Sequence, residues 1–151
     1  MRQGSPRAGS AAALTVRFDT KIAVVLRDDL AVWQKANVTA FLASGIAGTE
    51  PATVGEPYED GSGNRYLPMF RQPVMVFETV AAGLRRAHGR ALERNVPTAI
   101  YTAELFATGH DEANRAAVAA VPADRLDLVG IALHADAKVV DRVLDKVRPH
   151  S

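Results

Sequence analysis

The chain has 151 residues, 48% of them hydrophobic and 23% charged, and its 18 Lys+Arg against 17 Asp+Glu leave a net charge of +1. This is the length of one ordinary domain and an apolar fraction that excludes wholesale disorder, while no apolar run reaches the ~18–20 residues needed to span a bilayer. Cysteine is absent, which excludes disulfide scaffolds, Cys-zinc and iron–sulfur sites and thiol catalysis, and the near-neutral balance argues against a strongly basic nucleic-acid binder. A cytoplasmic protein is expected.

Residues 1–13 hold two Arg and, after Met1, no large apolar side chain, and read as a mobile tail. A single domain is expected over 14–148. Ile22 to Leu26 is a short run, apolar on both faces, that predicts a central buried strand. Leu30 to Ile46 then places Val38, Phe41, Leu42 and Ile46 at helical spacing. Residues 47–73 are rich in Pro and Gly and carry the turn signal Glu59 to Asn64 between Tyr58 and Tyr66, which predicts a hairpin or flap. Val74 to Phe77 predicts a second strand, followed by a helix with Val80, Leu84, Ala87, Ala91 and Leu92 on its buried side. On that helix Arg85, Arg86, His88, Arg90 and Arg94 predict a solvated, locally basic face, with a phosphate-backbone contact surface as the alternative. A third strand is expected at Thr98 to Tyr101, and a short Ala-rich helix capped by Asp111 runs to about Ala120. Leu128 to Leu133 predicts a fourth strand, and Asp136 a cap for a last helix carrying Val139, Val140, Val143, Leu144 and Val147. Strands alternating with helices imply a sheet covered on both faces: one α/β domain, a three-layer α/β/α sandwich with a mixed four-stranded sheet.

Ligands of open α/β sheets bind beyond the carboxyl ends of strands. Read that way, the first strand delivers Arg27, Asp28 and Asp29, with Lys35 on the helix behind. The second delivers Glu78 and Thr79. The third delivers Thr102, Glu104 and the cluster Thr108, His110, Asp111, Asn114 and Arg115, and the fourth delivers His134 and Asp136. The dense stretch Glu104 to Arg115 fits either a water-orienting carboxylate or His beside an anion-binding helix start, or a capped, solvated loop. His110 and His134 lack the spacing of a metal motif, and no metal or other cofactor is expected. Trp33 and Phe70 fit either the lining of a pocket or, the favoured reading, core packing. No P-loop, dinucleotide fingerprint or nucleophile elbow is present.

Three stretches, Lys21 to Leu42, Gly55 to Asp60 and Glu104 to Ala116, resemble the bacterial family called domain of unknown function 2000, with the likeness running over about 18–148. That family resembles in fold the archaeal/eukaryotic (type II) peptidyl-tRNA hydrolase. The enzyme carries an Arg, a polar residue, an Asp and a Leu after its first strand, matched by Arg27-Asp28-Asp29-Leu30. It has a Lys at the mouth of the first helix, matched by Lys35, and an acid and a Thr four residues apart after the third strand, matched by Glu104 and Thr108. Gly130-Ile131 and Ala137 to Val143 resemble its last strand and helix. A second Lys and a Gln of that enzyme are replaced by Asn37 and Phe41, and its third-strand acid is an Asp. The resemblance thus implies an incomplete catalytic set.

Two functions are expected from this. One is a module that binds a small anionic ligand. The other is a hydrolase of peptidyl-tRNA or a related nucleotide-linked ester or amide, in which the tRNA 3′ end is the partner. The candidate catalytic residues are Glu104, Thr108 and Lys35. Candidate ligand contacts are Arg27, Asp29, Asn37, His110, Asp111, Asn114 and Arg115. A homodimer is a possible assembly, and no membrane partner is expected.

Overall fold

The computed structural model describes residues 17–149; the expected tail over 1–13 lies outside them. The elements in chain order are β1 (Thr20–Arg27), α1 (Val32–Thr49), a 3-10 turn (Pro51–Thr53), β2 (Tyr58–Glu59), β3 (Arg65–Tyr66), β4 (Val74–Thr79), α2 (Ala81–Glu93) and β5 (Thr98–Thr102). A second 3-10 turn (Ala103–Phe106), α3 (Asp111–Ala119), a third 3-10 turn (Ala123–Arg125), β6 (Leu128–Asp136), α4 (Ala137–Val143) and β7 (Arg148–Pro149) complete the list.

The sheet order is β5-β6-β1-β4-β7, so four principal strands are extended at the β4 edge by the two-residue β7. β1 and β4 form the parallel pair, with Val24 opposite Val76. β6 runs antiparallel to β1, with Val24 opposite Ala132, and β5 antiparallel to β6. The sheet is therefore mixed, as the sequence implies.

Side chains of a strand alternate between faces, and β1 divides the core accordingly. Ala23 and Val25 pack with Leu84, Ala87 and Ala91 of α2 and Val140 and Val143 of α4. Ile22, Val24 and Leu26 pack on the other face with Val38, Leu42 and Ile46 of α1 and with Tyr101. Each large side chain so buried contributes roughly 1.5–3 kcal/mol of transfer free energy. Among the described residues no helix is long and apolar enough to cross a membrane.

Several expectations are corrected. α1 begins at Val32 rather than Leu30, its start held by Gln34 Oε1, which accepts from Ala31 N at 2.9 Å. It then passes through Gly45, where a Cβ would stand 3.1 Å from that of Ala99. Trp33 is 63% exposed, outside the core, because it lies on the first turn of α1, beyond the end of the sheet. Phe70 does pack against the α1-side core. Val80 and Leu92 are exposed, while His88, expected on the solvated face of α2, is buried. Leu92 follows Ala91 by one residue and so turns about 100° away from it. Burial pushes the His88 imidazole below its ordinary value, since a charged ring is poorly solvated there.

Gly130 of β6 sits under α1, where a Cβ would meet Val38 Cγ1 at 2.8 Å, Leu42 Cδ1 at 3.0 Å and Leu26 Cδ2 at 3.2 Å. Gly130→Ala is expected to destabilise the fold by about 1–3 kcal/mol, the usual cost of overpacking. Urea unfolding with an unchanged midpoint would show that α1 has room to move.

Candidate functional site

The sheet topology sorts the candidate residues between two ends. β1, β4 and β5 all point the same way, so Arg27, Glu78 and Glu104 follow strand ends at one pole. β6 runs the opposite way. His134 and Asp136 therefore lie at the far pole, where Asp136 is opposite Thr20. This corrects the expectation that all four strands deliver their last residues to one place. It also separates His134 from His110, and among the described residues no three His, Asp or Glu side chains group as metal ligands.

At the near pole, Arg27 donates from Nε to Asp29 Oδ1 at 2.7 Å and from Nη1 to Asp127 Oδ1 at 3.0 Å. The hydrogen bond with Asp29 raises its already high pKa further. Lys35 Nζ lies 3.0 Å from Glu78 Oε2, with the two side chains only 23% and 22% exposed. The pair stands in a groove of about 660 Å³ between α1 and β4, walled by Leu26, Val32, Ala36 and Val76. The position of Glu78 at a strand end is legible in sequence. Its pairing with Lys35 is not, because it depends on β4 lying beside β1.

Trp33, Asn37 and Phe41 fall four residues apart and share a helix face, as i and i+4 positions do; that face meets β5 and the turn after it. The Tyr101 hydroxyl pKa is raised by burial and lowered in part by the neighbouring Asn37 side chain. The Phe41 ring stands edge-on to Tyr101 at 5.7 Å, Tyr101 lies 5.1 Å from Phe106, and Trp33 stands edge-on to Phe106 at 5.9 Å. Lys35, two residues from both Trp33 and Asn37, is instead turned toward β4. Asn37 and Phe41 thus both lie against one buried tyrosine.

Glu104 is exposed in the turn after β5. The Thr108 hydroxyl donates to Leu105 O at 3.0 Å and bonds the Asn114 amide oxygen. His110, not Asp111, is the N-cap of α3: its Nδ1 accepts from Ala113 N at 3.2 Å. An imidazole nitrogen without its proton serves as well as the carboxylate oxygen expected there, and Asp111 instead pairs with Arg115 along the helix surface. The Thr108–Arg115 stretch therefore satisfies much of its own polarity. Thr102 ends β5 with a buried hydroxyl that has no hydrogen-bond partner among the described residues.

The predicted hairpin is present as β2 and β3, with Tyr58 opposite Tyr66. Asp60 organises it, accepting from Ser62 N at 2.9 Å, from Asn64 N and Nδ2 at 3.0 Å each, and from the Tyr66 hydroxyl at 2.6 Å. These donors, Tyr66 foremost, hold the Asp60 carboxyl far below the usual carboxylate range.

Residues 20–151 match the family described as "Protein of unknown function (DUF2000)". The solved structure of Atu0240, a protein of unknown function from Agrobacterium tumefaciens, is similar to this chain with a TM-score of 0.87 and 52% sequence identity. The match covers 89% of this chain and 100% of that one. No curated protein matches the chain.

Asp60→Ala is expected to speed amide exchange at Ser62 and Asn64 at neutral pH. In the parent, the folded Asp60 pKa lies below the ordinary value of 3.8, so the hairpin's stabilisation is present above that value and is lost only as pH falls through the depressed one. Equal exchange rates in parent and variant would refute the role of Asp60.

Proposed function

Because the chain belongs to the DUF2000 family, whose members have no assigned activity to transfer, we propose from its geometry that it is a binding module for a small anionic ligand. In this reading its fold resembles the type II peptidyl-tRNA hydrolase, with the catalytic charges of that enzyme reduced. The observation that carries it is Lys35, part-buried in the apolar-walled groove beyond the parallel pair β1 and β4. Clefts at the carboxyl ends of such strands are the usual ligand positions of open α/β sheets. A part-buried ammonium is screened less than a surface one, and the apolar walls leave room for the uncharged part of a ligand. The incoming anion competes with Glu78 for the ammonium. Removing the charge of Glu78 therefore strengthens binding, and removing Lys35 weakens it.

Calorimetric titration with adenosine monophosphate and with inorganic phosphate at low salt tests this. Glu78→Gln is expected to bind several-fold more tightly than the parent, and Lys35→Ala more weakly. Equal affinities across the three proteins, or no binding by any of them, would overturn the reading.

One observation favours the hydrolase reading instead. Glu104 is a solvent-exposed carboxylate at the same pole, with the Thr108 hydroxyl four residues on. There Glu104 orients or deprotonates water, Thr108 bonds the substrate and Lys35 or Arg27 holds a phosphate of the tRNA 3′ end or the developing oxyanion. With radiolabelled peptidyl-tRNA, this reading expects release by the parent that Glu104→Gln loses by about 100-fold or more. No release by the parent would end it.

A further inference from the structure

The far pole holds a connected polar chain that none of the above uses. His134 Nδ1 lies 3.3 Å from Glu50 Oε1, and His134 Nε2 lies 2.9 Å from Thr20 Oγ1. Gln72 Nε2 donates to Thr20 O at 3.1 Å and to Thr20 Oγ1 at 3.2 Å. The imidazole is only 13% exposed and Gln72 is buried. An ionised carboxylate only accepts hydrogen bonds, so Nδ1 carries the proton toward Glu50. In the neutral ring Nε2 is then the acceptor, and the Thr20 hydroxyl donates to it. Carboxylate, imidazole and hydroxyl are thus ordered as in a nucleophile–base–orienter chain, which is recognised by geometry rather than by sequence position.

The surroundings add a binding logic. His134 lines two adjoining cavities. One, of about 330 Å³, is walled chiefly by apolar groups, among them Gly45, Ile46, Pro97 and Ala99. The other, of about 360 Å³, reaches Thr20 and carries Arg17 and Arg71 together with Gln72 and Asp19. Arg71 is steadied 5.2 Å above the Phe18 ring. An apolar chamber and a cationic chamber therefore meet at the hydroxyl–imidazole contact.

We propose that the Glu50–His134–Thr20 chain is an acyl-transfer site, with Thr20 as nucleophile, for esters that join a short apolar acyl group to an anionic alcohol. The acyl chain occupies the Ile46–Pro97 chamber and the anion faces Arg17 and Arg71. Thr20 Oγ1 attacks the ester carbonyl carbon as its proton passes to His134 Nε2. Gln72 Nε2, already within reach of Oγ1, donates to the carbonyl oxygen as it gains charge. The carbon–oxygen bond to the alcohol breaks, and the alcohol leaves with the proton held by His134. Water then attacks the acyl-threonine, giving its proton to His134, which returns it to Thr20 Oγ1 as the carboxylic acid departs. Glu50 is a positioning residue that keeps the imidazole in the required tautomer.

β-Butyrolactone is a suitable probe, because opening its ring acylates a nucleophile with no leaving group to lose. The full chain is incubated with the lactone and quenched in acid at successive times, so that the acyl ester is caught before water releases it, and the adduct is located by intact mass and peptide mapping. The expected result is one added lactone mass on the peptide that holds Thr20, retained in Thr20→Ser and absent from Thr20→Val. A parent protein that shows no adduct on Thr20 at any quench time and hydrolyses the lactone no faster than Thr20→Val overturns the proposal, whatever other side chains react. Should Thr20→Val fail to fold, the mapped position in the parent and in Thr20→Ser decides alone. This site shares no residue with the Lys35 groove, so its failure leaves that reading standing.

Discussion

Five consecutive residues, Ile22 to Leu26, are buried on both faces of the sheet, and this double burial governs where everything else can go. A strand covered on both sides admits no polar side chain without a partner. The polar residues of β1 are therefore pushed to its two ends, Thr20 and Lys21 at one and Arg27 onward at the other. β4 and β6 complete its hydrogen bonding, and α1, α2 and α4 cover its alternate side chains. Chemistry in this molecule is polar in the geometric sense: it sits at the ends of the central strand because the middle has no place for it.

Much of this was legible in the chain. The apolar run Ile22 to Leu26 announces a central strand, since amphipathic alternation would be needed for an edge facing water. The spacing of Val38, Leu42 and Ile46 marks the seam of α1. Strand direction was not legible. The hydrophobic pattern of Leu128 to Leu133 is the same whichever way β6 runs, so nothing local indicates that His134 lands beside Thr20 and Glu50 rather than beside His110. Trp33 and His88 were misplaced for a related reason. Residue type sets a prior for burial, but Trp33 stands on the first turn of α1, past the sheet, and His88 adjoins the Ala87 seam of α2.

At the near pole the first helix is held to the sheet by rings. Asn37 and Phe41 stand where the hydrolase resemblance calls for a Lys and a Gln, and both are engaged with Tyr101. A lysine at position 37 would bring a charge against a buried phenol. The aromatic row Trp33, Phe41, Tyr101 and Phe106 therefore ties the first helix to the third long strand through rings rather than charges. Lys35, turned to the other side of the helix, is left with Glu78.

The order of the strands also bears on how the chain comes off the ribosome. Thr20 and His134, hydrogen-bonded neighbours in the finished sheet, are separated by 114 positions. β1 is made before the antiparallel partner β6 that shields one of its edges, with the intervening elements between them. During synthesis the Ile22–Leu26 segment travels with an unfilled backbone edge, the arrangement that invites pairing between nascent chains. The neighbouring charges Lys21, Arg27, Asp28 and Asp29, which bracket that segment, are the kind of flanking residues that discourage such association until β6 arrives.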